Sequence, residues 1–486
     1  MSNELKVAGR MKTAPVWKPR TTLTRFDVTV SVVILALLAA TLLTVIIGDR
    51  IGVRVLAAGP ISTAHSTSSI FLQFTEDMDQ TSVESRLLLD PPLNGNFRWN
   101  GRTLIFQPAT AMSPGTTYTV SLPRGAASDS GRQTLSEYRF NFTVMMPRVA
   151  YLTPSDSSPT NIWIADPRDP QSAHQLTFSP TGIYDFSVSP DGTRIAFSEI
   201  DPLSDSSEIK VLDIETGGLT QITNCTAEDA RCTNPVWRPD GSMMAYERID
   251  LNSDLTSVGV SPTRVWLLDL STTPASTRPL FTDTQMLGYS PVWSGDGTRL
   301  AVFDTNSSGI LVYSFADSSV VLIPSRTGSV GTLSPDGTRL VFPEMLLDGN
   351  MTRSTLKIAD LVSNDFTDLT SPDEPIDDVM PIWNPDGYRL AIGRQYLDNR
   401  FTRGSQMYLY DTRDSSVTPL VIDERYTNGF FSWDATGQQL VLQRFPELDE
   451  NGNPTQFATP EVWTYDLATD TLTLVATNAN RPRWIP

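Results

Sequence analysis

A nine-residue phrase keeps returning along the last two-thirds of the chain, and it constrains the fold more than any other feature. It reads Ser189-Pro-Asp-Gly-Thr-Arg-Ile-Ala-Phe197, then Arg238-Pro-Asp-Gly-Ser-Met-Met-Ala-Tyr246 and Gly295-Asp-Gly-Thr-Arg-Leu-Ala-Val-Phe303. Ser334-Pro-Asp-Gly-Thr-Arg-Leu-Val-Phe342 and Asn384-Pro-Asp-Gly-Tyr-Arg-Leu-Ala-Ile392 follow, with a worn copy at Trp433-Asp-Ala-Thr-Gly-Gln-Gln-Leu-Val441. A phrase that recurs at intervals of about 40–55 residues means stacked copies of one structural unit.

Each unit has a second half, a strand that ends on or beside an acidic residue. The series runs Ile162-Trp-Ile-Ala-Asp166, Ile209-Lys-Val-Leu-Asp213, Val265-Trp-Leu-Leu-Asp269, Ile310-Leu-Val-Tyr-Ser314, Leu356-Lys-Ile-Ala-Asp360, Met407-Tyr-Leu-Tyr-Asp411 and Val462-Trp-Thr-Tyr-Asp466. These strands number seven, whereas the phrase occurs six times with the worn copy included. Four strands per unit and about 48 residues per unit over 147–486 are the dimensions of a β-propeller. The expected fold is therefore all-β, with a seven-bladed propeller as its main body. The first unit lacks its own inner strand and opens at Arg148-Val-Ala-Tyr151, while the chain ends Arg481-Pro-Arg-Trp-Ile-Pro486. Residues 481–486 are expected to supply the missing strand and seal the ring, which leaves no open sheet edge.

Turn chemistry accounts for the phrase itself. Pro presets φ, Asp holds nearby backbone N–H groups and Gly supplies a positive φ. Asp191, Gly192, Asp240, Gly241, Asp296, Gly297, Asp336, Gly337, Asp386 and Gly387 are thus expected to be structural turn residues. Trp237, Trp293, Trp383 and Trp433 stand at one fixed place per repeat, as blade-packing residues do. The Arg that follows the turn, at 194, 299, 339 and 389, reads as a surface residue.

Upstream, residues 61–146 show short alternating strands: Ile70, Leu72 and Phe74; Tyr118, Val120 and Leu122; Phe140, Phe142 and Val144. Pro91-Pro92, Asn94-Gly95, Asn100-Gly101 and Pro114-Gly115 mark turns between them. This pattern predicts a small β-sandwich. Before it, the run from Val28 to Ile47 holds 20 residues and no charge, enough to span a bilayer as a helix of about 30 Å. A basic tail over 1–25 precedes an anchor over 26–47, and a stalk over 48–60 follows. The positive side before the span puts the tail in the cytoplasm and the body outside. A cleaved signal peptide is the alternative, with Leu56-Ala-Ala58 as its cleavage site.

The net charge is −18, and the basic tail means that the rest of the chain is more acidic still. That balance excludes nucleic acid as a partner of the body. The two cysteines, Cys225 and Cys232, are expected to form a loop-closing disulfide outside the membrane. Both histidines, His65 and His174, are remote from them, so no zinc set forms.

The upstream pieces Ile70-Phe-Leu-Gln-Phe-Thr-Glu-Asp-Met-Asp79, Arg102-Thr-Leu-Ile-Phe-Gln-Pro108, Pro114-Gly-Thr-Thr-Tyr-Thr-Val120 and Phe140-Asn-Phe-Thr143 resemble the SbsA-type bacterial Ig-like domain. That resemblance implies a spacer or adhesion module. The Pro-Asp-Gly phrases resemble the TolB-like propeller repeat, a relative in shape of WD40 propellers. Its members include periplasmic scaffolds and the propeller halves of prolyl-oligopeptidase-like enzymes, so the resemblance implies a binding platform rather than an activity.

No catalytic or cofactor-binding motif is legible. The nearest approach to a nucleophile elbow, Gly288-Tyr-Ser-Pro-Val292, lacks the second Gly and has no His after it. Glu447, Asp449, Asn451 and Gly452 open with calcium-loop spacing, but Ala458 stands where a bidentate Glu must close it, so a hairpin tip is expected. The cluster Asp373, Glu374, Asp377 and Asp378 reads as solvated loop charge. The function expected is a membrane-anchored extracytoplasmic scaffold, without cofactor, that binds an envelope or surface protein or a wall glycan. The alternative is a hydrolase with a carboxylate site in the propeller channel. Function is expected where the units differ, at 200–207, 225–232, 250–263 and 446–460.

Overall fold

The computed structural model describes residues 24–48, 52–201, 203–252, 259–272, 274–349, 351–456 and 458–486. Residues 1–23 of the basic tail, 49–51 of the stalk and 253–258 of the third insertion lie outside the described residues. One long helix, Arg25–Gly48, opens the described chain. Thr24 and Asp27 cap it reciprocally: Thr24 N donates to Asp27 Oδ2 at 2.9 Å, and Asp27 N to Thr24 Oγ1 at 3.3 Å. Its stretch Arg25–Val45 is long and apolar enough to cross a bilayer, and its side chains pack against nothing in the protein.

Two four-stranded sheets follow. The first has the order Val55–Gly59, Ile70–Phe74, Thr103–Pro108, Gly95–Asn100; the second has Ser62–Ala64, Tyr138–Val144, Thr117–Leu122, Leu88–Asp90. Alternation decides which side chains meet between them. Ile70, Leu72 and Phe74 are fully buried and face Leu104, Phe106, Val120, Leu122 and Phe142, whereas Phe71 is exposed. The structure differs from the sequence reading in two places. Residues 55–59, read as stalk, form an edge strand of the sandwich, because Val55 to Gly59 pair with Ile70–Phe74. A short helix, Gln80–Glu84, capped by Asp79 Oδ1 on Ser82 N at 3.1 Å, crosses one end.

From Arg148 the strands fall, among the described residues, into seven antiparallel groups of four, two of which a single parallel bridge from Ser207 to Arg231 joins into one eight-stranded sheet. Six are consecutive in sequence: Ile183–Val188 to Leu219–Gln221, Ala230–Trp237 to Ser276–Pro279, Tyr289–Trp293 to Val320–Pro324, Thr332–Leu333 to Asp365–Asp368, Ile376–Trp383 to Ser416–Val421, and Tyr426–Trp433 to Thr471–Thr477. We number them units two to seven. Unit one holds Arg148–Thr153, Asn161–Asp166 and Asp169–Gln175, and its innermost strand is Asn480–Ile485 from the other end of the chain.

The ring is held by cores between units rather than within them. In Arg194–Ile200, Ile195 and Phe197 pack back against Ala150, Leu152 and Ile162 of unit one. Ala196, one residue between them, packs forward against Trp237, Met244 and Tyr246 of unit three. The period of two in the phrase therefore feeds two interfaces from one strand. A core of this kind lies between each neighbouring pair, units seven and one included, where Val441, Val462 and Val475 meet Val149, Tyr151 and Trp484.

Strand direction sorts the connections onto two faces. Each inner strand runs into the five-residue turn of its phrase, so all six turns lie on one face. The links from third to fourth strand, on the same face, hold two to six residues. Links from second to third strand rise on the opposite face, and they range from two residues at 349–350 to 14 at 447–460. The closing strand is the element on which the ring is most exposed to damage. Deleting 481–486 is expected to cost far more stability than trimming a free end, and Trp484→Ala alone about 3–5 kcal/mol. Thermal unfolding of the full chain in detergent measures both, and a truncated chain that melts like the wild type would refute closure.

Candidate functional site

The phrase turns are self-contained. In each, Gly takes a φ of 69° to 79° and Asp accepts the N–H two residues on: Thr193 to Asp191 at 3.2 Å, Ser242 to Asp240 at 3.0 Å, Thr298 to Asp296 at 3.0 Å, Thr338 to Asp336 at 3.1 Å and Tyr388 to Asp386 at 2.9 Å. In the worn copy the carboxylate has moved back two positions. Asp434, buried, accepts Gln438 N at 2.9 Å and Gln439 N at 2.8 Å, so the turn survives without the phrase.

The tryptophans staple neighbouring units. Trp293 Nε1 donates to Val236 O at 3.1 Å, Trp433 to Ile382 O at 3.2 Å and Trp484 to Ser432 O at 3.0 Å, each reaching back one unit. The arginines after the turns do not stand free on the surface. The Arg194 guanidinium lies 4.8 Å from the centre of the Trp237 ring, and Arg339 lies 4.7 Å from Trp383. Arg339 Nη2 also donates to Gly387 O at 2.7 Å. Their role is interlocking, and it depends on a residue about 44 positions away that no local spacing reveals.

Counting back three residues from the tryptophan position aligns a second column: Arg481, Asp185, Asn234, Ser290, Val330, Met380 and Phe430, from unit one to unit seven. Five of these, Asn234, Ser290, Met380, Phe430 and Arg481, take the same left-handed φ of 51–52° at a bulge of the inner strand. A bulge takes a backbone N–H out of the strand ladder. In three places a side chain of the preceding unit captures it: Asp185 Oδ2 takes Asn234 N at 2.8 Å, Glu247 Oε1 takes Ser290 N at 2.7 Å, and Gln443 Oε1 takes Arg481 N at 3.1 Å. Asn234 Nδ2 donates to the same Glu247 oxygen at 2.8 Å.

One arc of the channel therefore carries a connected polar set. Asp185 is 4% exposed and also accepts Ser198 Oγ at 2.5 Å. Burial pushes its carboxyl up to about 6, against the hydrogen bonds from Ser198 and Asn234 and the charge of Arg481. Arg481 reaches across to the Tyr184 ring, 5.2 Å from its centre. Asp185, Glu247, Gln443 and Arg481 were not singled out as a set from the sequence, and the signal that finds them is this column alignment.

The opposite face gathers the expected insertions. The link 201–206, the segment 222–229, the described parts of 251–263 and the link 447–460 all rise there. Cys225 and Cys232 are joined by a disulfide across the turn Thr226–Glu228. Glu208 underpins this loop, accepting Cys225 N at 2.9 Å and Thr226 N at 2.8 Å. Asp449 spends its carboxylate on Asn451 N and Asn453 N, both at 2.8 Å, as a hairpin tip does. No group of metal-ligating side chains forms among the described residues. The acidic cluster departs from the solvated-loop reading. Asp378 lies in the strand Ile376–Trp383, fully buried, in a two-pronged ion pair with Arg394 at 2.7 and 2.8 Å, and Asp377 accepts Ser354 N at 2.7 Å.

The sandwich covers part of the turn face. His65 Nδ1 lies 2.6 Å from Pro486 O, and Gly192 packs against the His65 ring so closely that a Cβ there would meet Nδ1 at 2.7 Å. Between the two modules is a cavity of about 900 Å³ at the turn-face mouth of the channel.

Two known families match parts of the chain. Residues 49–144 match the bacterial Ig-like domain family. Residues 177–310 match the N-terminal β-propeller domain of prolyl oligopeptidases. The chain thus carries an Ig-like domain and a β-propeller. No curated protein is significantly similar in sequence. Among solved structures, TolB from Acinetobacter baumannii is 14% identical over 90% of this chain and 99% of its own, with a TM-score of 0.41. The β-propeller domain of the Trilobed protease from Pyrococcus furiosus is 14% identical over 60% and 82%, at 0.43. An oligogalacturonate lyase from Vibrio parahaemolyticus is 14% identical over 68% and 86%, at 0.45. At such identities and TM-scores none of these likenesses bears on what the chain binds or does.

Asp185 gives the channel a pH signature. Its carboxyl holds a proton in the folded ring at a pH where the unfolded chain has released it, so its contribution to stability is present at low pH and is lost as pH rises through about 6. Measured as a difference from Asp185→Asn across pH 4–7, the wild type is expected to lose stability by up to about 3 kcal/mol. A flat difference would show that Asp185 titrates normally.

Proposed function

We propose that this protein is a membrane-anchored binding platform outside the cytoplasm, in which the Ig-like domain carries a TolB-like propeller and the propeller's loop-rich face engages a protein or glycan of the cell envelope. The observation that supports it is the division of the ring's two faces. The turn face has links of two to six residues and is partly covered by the Ig-like domain. The other face carries every uneven insertion and points away from that domain. Loops that vary on a fixed scaffold are where binding residues concentrate. Phe178, Leu203, Leu347 and Phe401 are exposed on that face, beyond what solubility favours. The apolar helix Arg25–Gly48 supports the anchor. The SbsA-type and TolB-like repeats read from the sequence agree with a spacer bearing a scaffold.

A hydrolase reading has one observation in its favour, the buried Asp185 beside Glu247 in the channel. Both carboxylates are already engaged in holding the next unit's bulge, which supports a structural duty for them.

Full-length protein in mild detergent is expected to recover a saturable partner from the envelope fraction. Replacing 447–455 with a two-residue Asn-Gly turn should abolish that recovery, while Asp240→Asn on the turn face should leave it intact. Equal recovery by both variants would overturn the assignment to the loop-rich face.

A further inference from the structure

The cavity between the two modules belongs to neither the loop-rich face nor the polar arc, and its lining is unusual for so acidic a protein. The sandwich contributes Arg98 and Asn96; the ring contributes Arg194, Trp237, Ser187 and Arg483. Arg483 sits on the closing strand, two residues beyond Arg481, and lines the cavity. Its one hydrogen bond is from Nη1 to Pro482 O at 3.0 Å. Burial, with Arg481 beside it, pushes the Arg483 guanidinium below its ordinary value.

None of Arg98, Arg194 and Arg483 closes an ion pair with any carboxylate among the described residues, although ion pairs are frequent elsewhere in the ring. Arg194 stacks on Trp237 and feels the charges of Asp191 and Asp213 without touching either. Three carboxylates do line the cavity. Asp191, Asp240 and Asp296 direct their oxygens into their own turns, on Thr193, Ser242 and Thr298. Two donors are also left over. Trp237 is 5% exposed and, like Trp383, its Nε1 has no partner among the described residues, whereas Trp293, Trp433 and Trp484 each find one. The Ser187 hydroxyl beside it is buried and likewise unpartnered.

We infer that this cavity is a binding site for a small polyanion, a molecule with two or more carboxylate or phosphate groups. Guanidinium forks suit both groups, pairing with their oxygens in a two-pronged geometry. Arg98 and Arg483 belong to different modules, so one anion spans the junction.

Isothermal titration calorimetry on the full-length protein in an uncharged detergent, at fixed ionic strength, tests this with citrate and tripolyphosphate as separate probes and lactose as the neutral control. Saturable binding of at least one anion and none of lactose is expected. Binding of citrate alone identifies a carboxylate ligand, and binding of tripolyphosphate alone a phosphate ligand. Arg98 is exposed, so Arg98→Gln folds as the wild type does, and it should weaken binding about tenfold. Arg483→Gln should weaken it further, with the melting curve of the free protein reporting whether the ring still closes. No saturable binding of either anion up to about 10 mM, a Kd range worth less than about 3 kcal/mol, overturns the proposal. An affinity unchanged in Arg98→Gln overturns it equally.

Discussion

The pairing of Asn480–Ile485 with Arg148–Thr153 joins chain segments more than 300 residues apart, and the rest of the ring depends on it. Every unit buries its two faces against two neighbours. Without the closing strand, unit one loses its inner strand and unit seven loses Trp484 as a wall for Val441 and Val475. Closing so long a loop is entropically expensive, though the cost grows only slowly with length. What offsets it is a stack of non-local contacts formed together: the ladder itself, the indole bond from Trp484 to Ser432, and Thr153 Oγ1 to Asn478 O at 2.8 Å. Folding that waits for such contacts is slow, and an open ring leaves two apolar sheet faces bare.

Much of this is legible in the sequence, because it is local or periodic. The Asp and Gly of each turn can be read from five residues, and the missing first phrase pointed to its replacement at the other end. What escaped reading depends on neighbours in space. Arg194 and Arg339 look like surface residues from their sequence and become partners of a tryptophan in the next unit. Asp378 looks like one of four loop acids and lies buried against Arg394. The bulge residues escaped for a different reason. Their backbone conformation repeats, but their side chains, from Asn234 to Met380 to Phe430, share no chemistry. A repeat search by residue type passes over a column whose common property is a φ angle.

That column shows how a repeating fold acquires a non-repeating interior. In five of the seven units the bulge fixes where the side chain leaves the strand, and the unit decides only what it is. Units one to four place Arg481, Asp185, Asn234 and Ser290 in this column, and units five to seven place Val330, Met380 and Phe430, with Asp185 and Val330 lacking the left-handed φ. The channel is polar on one arc and apolar on the other, although every unit is built alike. Where the acceptors come from the preceding unit, as with Asp185, Glu247 and Gln443, polar character also fastens one unit to the next.

The same logic explains why the two faces differ in the lengths of their links. A turn on the phrase face cannot lengthen freely. Its Asp and Gly are set by bonds within five residues, and the strand on either side is pinned by a tryptophan reaching back from the next unit or by an arginine reaching forward. One inserted residue would shift the register of the strand that follows and turn its buried residues outward. On the opposite face the strands have already ended before the link begins, and a neighbouring unit holds a link only at single points, as where Arg231 Nε donates to Asp205 O at 2.9 Å and Asn428 N to Ser405 O at 2.8 Å. The link 447–460 can hold 14 residues where 305–308 holds four, with both flanking ladders undisturbed. Variation therefore accumulates on the face that packing leaves free. A binding surface that must change while its scaffold stays fixed is most readily built there.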